Sequence, residues 1–293
     1  MLNAIDASHG TFFIKLQFFS DGFLVIEDFF NDEEVTELKK AGLELTQNAL
    51  SESKKAVFNT INMEQVKQGT YFLESSDKIS YFYEEGAIGE NGELLVDVSK
   101  SLNKVAHALH WLHPIFRQAT FHPKVKQLSS EIGLVEPRVV QSMYIYKNPG
   151  LGSEVISHQD ATYLYTEPQQ LYGFWFPLED ATIENGCLWF IPGSHKSGVH
   201  RRYIRNPDKS SNELLINDKP TPHYPASAFR AVPVKKGMTC VLIHGQVVHR
   251  SEHNRSDKSR HAYTFHIHDA HQSQWSPDNW LQINNEFPLL YAN

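Results

Sequence analysis

The sequence predicts an α+β chain with a mainly β core, and a change of texture near residue 135 carries that prediction. Before it, apolar residues fall mostly at helical spacing; from 136 onward they fall in short β-branched and aromatic runs broken by Pro and Gly. No internal repeat, low-complexity tract or Pro/Gly/Ser-rich linker parts the chain. Residues 1–293 are therefore expected to form one domain, with 1–135 as mostly helical support and 136–293 as mostly barrel strands.

The first helix is announced by Asn31, an N-cap residue followed by the acidic turn Asp32-Glu33-Glu34, with Val35, Leu38, Leu43 and Leu45 near helical spacing through about Leu50. A second helical stretch is expected from about Lys100 to Leu112. There Leu102, Val105, Ala106, Leu109 and Leu112 make one stripe before Pro114, and Lys104 sits off it. Strands are expected at Arg138–Tyr146, Tyr172–Leu178, Gly186–Ile191, Met238–His244 and His261–His268. Short, regularly punctuated strands of this kind point to a closed sandwich or barrel.

Bulk properties exclude several functions. Hydrophobic residues at 41% and charged residues at 21% place the chain among globular proteins rather than disordered ones. A balance of 27 Lys plus Arg against 34 Asp plus Glu provides no basic stripe for a phosphate backbone, so no nucleic acid partner is expected. Cys187 and Cys240 are too few to staple such a length, which favours a reducing compartment. Met1 through Asp6 lacks a cationic flank and apolar stretch, no apolar run approaches a bilayer span, and Tyr291-Ala292-Asn293 is not a peroxisomal address. A cytoplasmic protein without membrane partners is the expectation, its oligomeric state left open.

Among sixteen histidines, one opens an His-x-Asp or His-x-Glu triplet: His158-Gln159-Asp160. In an extended segment residues i and i+2 share a face, so His158 and Asp160 converge while Gln159 points away. His249, beyond the apolar run Met238–Ile243, is the candidate third ligand, with His244 its rival. Two imidazoles and a carboxylate on one face of an octahedral ion leave three positions open, which suits Fe(II) chemistry and not a closed structural zinc site. Arg260, shortly after His249, starts the strand Arg260–His266. Its planar guanidinium can grip a carboxylate through two parallel hydrogen bonds, as the distal end of 2-oxoglutarate requires. An isolated triplet is an ordinary surface pair more often than a metal site; the order His-x-Asp, distant His, nearby Arg is far more specific. His195 reads as structural, and His266 and His268 share the predicted strand face of Arg260, Ala262 and Thr264.

With these residues the sequence resembles the phytanoyl-CoA dioxygenase family across nearly its whole length. The likeness runs through Phe19–Ile26, Gln141-Ser142-Met143-Tyr144, His158–Ala161 leading to Tyr165-Thr166-Glu167-Pro168, Glu184–His195, and His244–His249. The resemblance implies a double-stranded β-helix, a jelly-roll or cupin-like barrel buttressed by N-terminal helices, with iron at one mouth. It also implies 2-oxoglutarate contacts at Lys104, Met143, Trp175, Ser251 and Arg260. On periodicity alone Met143 and Trp175 read as core, whereas Lys104 has independent interest as a cation off the stripe.

The activity so implied is Fe(II)- and 2-oxoglutarate-dependent dioxygenation. Oxidative decarboxylation of 2-oxoglutarate to succinate is coupled to hydroxylation of a small-molecule substrate, with O2 as cosubstrate and ascorbate as a stimulant. The substrate is not legible. Tyr144, Tyr163, Phe174 and Trp175 are candidates for pocket walls or ordinary core, and His200-Arg201-Arg202 reads as a solvated loop. Two other readings stand beside the oxygenase: a barrel that binds metal and 2-oxoglutarate without a productive substrate, and a redox-inert cupin-like isomerase or hydrolase using another divalent metal.

Overall fold

The computed structural model describes residues 11–52, 55–60, 69–236 and 239–292, with side chains from 14 onward. The N-terminal prediction holds at α2, Asp32–Asn48, preceded by α1, Thr11–Asp21. Asn31 Oδ1 accepts the Glu34 amide at 2.9 Å, and Glu34 Oε2 accepts the Asn31 amide at 2.8 Å, a complete capping box. Val35, Leu38 and Leu45 are buried from this helix against the sheet. Each contributes roughly 1.5–3 kcal/mol, well above any difference in helix propensity.

In chain order the strands are β1 Phe23–Ile26, β2 Ala56–Val57, β3 Ile79–Tyr83, β4 Leu102–His107, β5 Pro137–Ile145, β6 Val155–His158, β7 Thr166–Glu167 and β8 Leu171–Pro177. They continue as β9 Leu188–Phe190, β10 Tyr203–Arg205, β11 Leu215–Asn217, β12 Arg230–Val232, β13 Cys240–His244, β14 His249–Ser251, β15 Ala262–Asp269 and β16 Gln274–Trp275. An eight-stranded sheet has the order β1-β13-β8-β15-β5-β4-β3-β2, and a four-stranded sheet the order β12-β9-β14-β6. β5, β8, β9, β13 and β15 answer the five expected strands; Met238, the expected start of one, lies outside the described residues.

One face of the large sheet takes α2, packing Leu38 and Leu45 in one cluster with Tyr144, Phe176 and Leu242. The other face meets the smaller sheet: Phe23, Trp175 and Val241 share a cluster with Leu188, Phe190 and Val232, and Phe23 stacks on Phe190 at 4.2 Å. Two sheets joined through a common core accord with a jelly roll, whose site would lie where the sheets part. Among the described residues no helix is long and apolar enough to cross a membrane.

The expected helix from Lys100 to Leu112 is corrected. Leu102–His107 is a strand, β4, paired on both sides with β3 and β5, and helix begins only at Leu109–Leu112. An inner strand buried on both faces shows no alternation: Leu102, Val105 and Ala106 are all fully buried, so their spacing mimics a helical stripe. Lys104 is thereby a strand residue, and a buried one.

At Gly42, on the buried side of α2, an added Cβ would overlap the Tyr144 ring. Gly42→Ala is therefore expected to lower unfolding free energy by roughly 1–3 kcal/mol, although Ala in a helix normally gains about 1 kcal/mol. A urea-unfolding midpoint equal to or above that of the unmutated chain would refute this packing.

Candidate metal centre

β6 delivers His158 at its last residue, extended Gln159 carries the chain onward, and Asp160 opens a 3-10 turn, Asp160–Thr162. Gln159 is buried: its Nε2 donates to Gly198 O at 2.8 Å and Gln246 O at 2.7 Å, fixing the triplet between two loops. His249 begins β14 and stands directly opposite His158 in the ladder, rather than ending the apolar strand β13. The i, i+2 rule and one strand pair thus assemble three side chains from two places in the chain.

One ligand atom from each of His158, Asp160 and His249 lies within 4.8 Å of the others, the one such cluster of His, Cys, Asp and Glu among the described residues. The tautomers are set by hydrogen bonds. His158 Nδ1 lies 2.8 Å from Ile156 O and His249 Nδ1 lies 3.1 Å from Val247 O; a carbonyl can only accept, so both Nδ1 atoms carry hydrogen. The two Nε2 lone pairs then face Asp160 Oδ1 at 3.5 and 3.6 Å. Three acceptors converge with no hydrogen between them, an arrangement that a cation relieves. Burial, then the neighbouring His158, push His249 down to about 4, so it is a neutral donor at physiological pH. Burial raises the Asp160 carboxyl, but the neighbouring His249 and His266 outweigh it and hold it well below the usual carboxylate range.

Arg260 is fully buried beside this cluster. Its Nε donates to Gly186 O at 3.1 Å and its Nη2 to Ser251 Oγ at 3.3 Å, while Nη1 has no hydrogen-bond partner among the described residues. Ser251 Oγ donates to the same carbonyl, Gly186 O, at 2.9 Å. Gly186 is required there: φ is +88°, and a Cβ would lie 2.6 Å from Lys147 Cε and 2.7 Å from Glu252 O. Burial lowers the guanidinium to about 10, which leaves it charged at neutral pH. A buried, charged guanidinium with an open nitrogen can receive a carboxylate.

The family model described as Phytanoyl-CoA dioxygenase (PhyH) matches residues 18–262. The chain belongs to the phytanoyl-CoA dioxygenase family. It is 46% identical over 288 residues to the Caenorhabditis elegans phytanoyl-CoA dioxygenase domain-containing protein 1 homolog, covering 96% of this chain and 99% of that one. The Rattus norvegicus phytanoyl-CoA dioxygenase domain-containing protein 1 is 48% identical over 283 residues, covering 94% and 96%. Among solved structures, EctD from S. alaskensis, held with 2-oxoglutarate and 5-hydroxyectoine, superposes with a TM-score of 0.64 at 16% identity over 99% of this chain and 89% of that one. The non-heme alpha ketoglutarate dependent carbocyclase SnoK from nogalamycin biosynthesis does so at 0.60 and 20%, over 94% and 90%. The family is named for a dioxygenase, and the solved neighbours share this chain's fold.

The five contacts implied by the family, Lys104, Met143, Trp175, Ser251 and Arg260, line one cavity of about 180 Å³ with His158, Asp160 and His249. Register explains part of this: Met143 faces Thr264 on β15, and Thr264 faces Trp175 on β8, one row across the sheet. The Trp175 ring lies 5.3 Å from the Arg260 guanidinium carbon. Lys104 Nζ rests 3.4 Å above the Phe58 ring, and burial lowers it to about 7. Of the four aromatics weighed as walls, Tyr163 and Trp175 line the cavity, whereas Tyr144 and Phe174 belong to the core beneath α2. His244 lies elsewhere, its ring 5.0 Å from His195 and 5.6 Å from Tyr172. The segment read as a solvated loop is corrected: Arg201 is buried against Thr221, and Arg202 stacks on Tyr165 at 4.1 Å.

The sequence reading passed over Lys147 and underweighted His266. Lys147 Nζ donates to Ser153 O at 2.6 Å, and burial, then the Arg260 charge, hold it well below the usual lysine range. Its only sequence signal was its place between a strand and a Pro-Gly turn. His266 Nε2 stands 3.1 Å from Asp160 Oδ2, and alternation along β15 had already put it on the face of Arg260 and Thr264. His268 does not reach the centre: β15 keeps its register with β8, which carries His268 two residues further along to stand opposite Leu171, and its ring packs 5.5 Å from Trp275.

After anaerobic Fe(II) loading, His249→Ala and Asp160→Ala are expected to retain little iron, and His244→Ala an equimolar amount. Metal analysis giving the reverse order for the two histidine variants would move the third ligand to His244.

Proposed function

We propose that the protein is an Fe(II)/2-oxoglutarate-dependent dioxygenase that couples decarboxylation of 2-oxoglutarate to succinate with hydroxylation of a small-molecule substrate, on a double-stranded β-helix formed by the whole chain. The observation that carries this reading is the convergence of two imidazole lone pairs and a carboxylate within 4.8 Å, in one cavity with a buried guanidinium whose Nη1 is free. A closed structural site has no use for such a neighbour. The relatives support it through their names, and EctD, held with 2-oxoglutarate and 5-hydroxyectoine, supports it through its contents.

His158, Asp160 and His249 would hold the metal. Bound Fe(II) supplies, with dioxygen and 2-oxoglutarate, the oxidative decarboxylation and the oxygen atom given to the substrate. The chain does the rest. Val247 O and Ile156 O keep the imidazoles in the coordinating tautomer. Arg260 binds the distal carboxylate of 2-oxoglutarate, Ser251 shares its hydrogen-bond network, and Trp175 and Met143 wall that end of the cavity. Lys104, in a setting of Phe58, Phe72 and Phe82 rings, adds a second cation when protonated. The aromatic walls exclude water, which strengthens each of these charges.

Purified protein given Fe(II), ascorbate, O2 and 2-oxoglutarate is expected to release succinate and CO2 above an Asp160→Ala control; equal release from the two would overturn the proposal. Arg260→Lys, which keeps charge and loses the fork, should raise the KM for 2-oxoglutarate by about tenfold or more. The pH dependence has a definite sign. Lys104 is cationic below about 7, so 2-oxoglutarate affinity should fall as pH rises through neutrality, and the fall should vanish in Lys104→Met. A pH-independent dissociation constant in the unmutated chain would remove Lys104 from the cosubstrate site.

A further inference from the structure

The cavity holds two buried acceptors that neither the metal nor 2-oxoglutarate can use. The first is on His107, which lines the cavity at the end of β4. Ser75 Oγ donates its hydrogen to Phe72 O at 2.6 Å, so across its 2.8 Å contact with His107 Nδ1 it must accept. Nδ1 therefore carries the ring hydrogen. Burial, then the charge of Lys104, hold His107 well below the usual histidine range, so the ring is neutral and Nε2 is a lone pair without a partner among the described residues.

The second is on Gln141. Its Nε2 lies 3.2 Å from His266 Nδ1, and its Oε1 is a buried oxygen with no hydrogen-bond partner among the described residues. Gln141 lines the same cavity. The nearby donor, Lys104 Nζ, rests on the Phe58 ring and hydrogen-bonds neither of them. Trp280 stands edge-on to His107 with ring centroids 4.9 Å apart, giving the acceptors an aromatic flank.

We propose that His107 Nε2 and Gln141 Oε1 form an acceptor pair that selects the substrate: a small neutral molecule presenting a hydroxyl or amide N–H donor beside an aromatic or apolar body. 2-Oxoglutarate is a dianion without a donor hydrogen, dioxygen has none, and an alkyl chain has none, so each would leave both acceptors bare. A buried acceptor left unpaired is costly enough to reject a ligand that cannot donate. The inference rests on the oxygenase reading, because the pair acts on a substrate only if the cavity is the substrate site.

The test compares benzyl alcohol with benzyl methyl ether, which keeps the ring and oxygen and lacks the donor. Binding is read anaerobically from the fluorescence of the tryptophans lining the cavity, in protein already shown to bind Fe(II) and 2-oxoglutarate. Benzyl alcohol is expected to bind about tenfold more tightly, and the ratio should fall toward unity in His107→Phe and, independently, in Gln141→Leu. Either variant that folds decides the matter. Equal affinities in the unmutated chain, as when a fixed water satisfies both acceptors, would overturn the proposal; so would binding of neither probe, or a preference that survives in the variants. Failure of the unmutated chain to bind Fe(II) or 2-oxoglutarate would instead overturn the oxygenase reading, and this inference with it.

Discussion

Everything at the site depends on three acceptors being held together against their mutual repulsion. Two imidazoles point their Nε2 atoms at one carboxylate oxygen, because backbone carbonyls two residues earlier take the Nδ1 hydrogens. Such an arrangement costs the free protein stability, and the fold supplies what holds it: the β6–β14 pairing, the Gln159 clamp between two loops, and His266 behind Asp160. A centre of this kind is preorganised for a cation. The same constraint explains why His158 and His249 stand opposite each other on the paired strands β6 and β14, where backbone pairing, not side-chain packing, sets the distance.

The cations beside it follow a related logic. Arg260 and Lys147 are both buried, and each lowers its neighbour's affinity for a proton or is lowered by burial itself. Lys147 spends its hydrogens on carbonyls, with Ser153 O at 2.6 Å and Ser251 O at 3.5 Å, and its own carbonyl accepts the Arg260 amide at 3.2 Å. It therefore braces the carboxylate receptor from behind rather than opening a second one. Of the two, Arg260 keeps a nitrogen, Nη1, that has no hydrogen-bond partner among the described residues.

How much of this was legible depended on whether a residue's role is local. Asn31 and Glu34 cap a helix over three residues, and His158 and Asp160 share a face over two, so periodicity and spacing revealed both. The strands β5, β8 and β15 were visible because β-branched and aromatic residues cluster there between turn formers. β4 was misread because a strand buried on both sides loses the alternation that marks strands. Lys147 was invisible: a buried lysine is recognised only by the groups that surround it, and Ser153, Ser251 and Gly186 meet it from three separate segments of the chain. The bulge at Val140 in β5, opposite the step from His266 to Ile267, likewise leaves no mark in composition.

The cavity is thus chemically divided. In one cavity with the three candidate ligands, Arg260 offers donors and positive charge, while His107 and Gln141 offer lone pairs. A dianion set against the acceptor pair would meet two unpaired lone pairs, and a neutral donor molecule at the guanidinium would leave a buried charge uncompensated. The two ligands of the proposed reaction are therefore sorted by charge and by hydrogen-bond polarity before either reaches the metal. Gln141 ties the sorting to the centre itself, since its Nε2 lies 3.2 Å from His266 Nδ1 and His266 Nε2 lies 3.1 Å from Asp160 Oδ2.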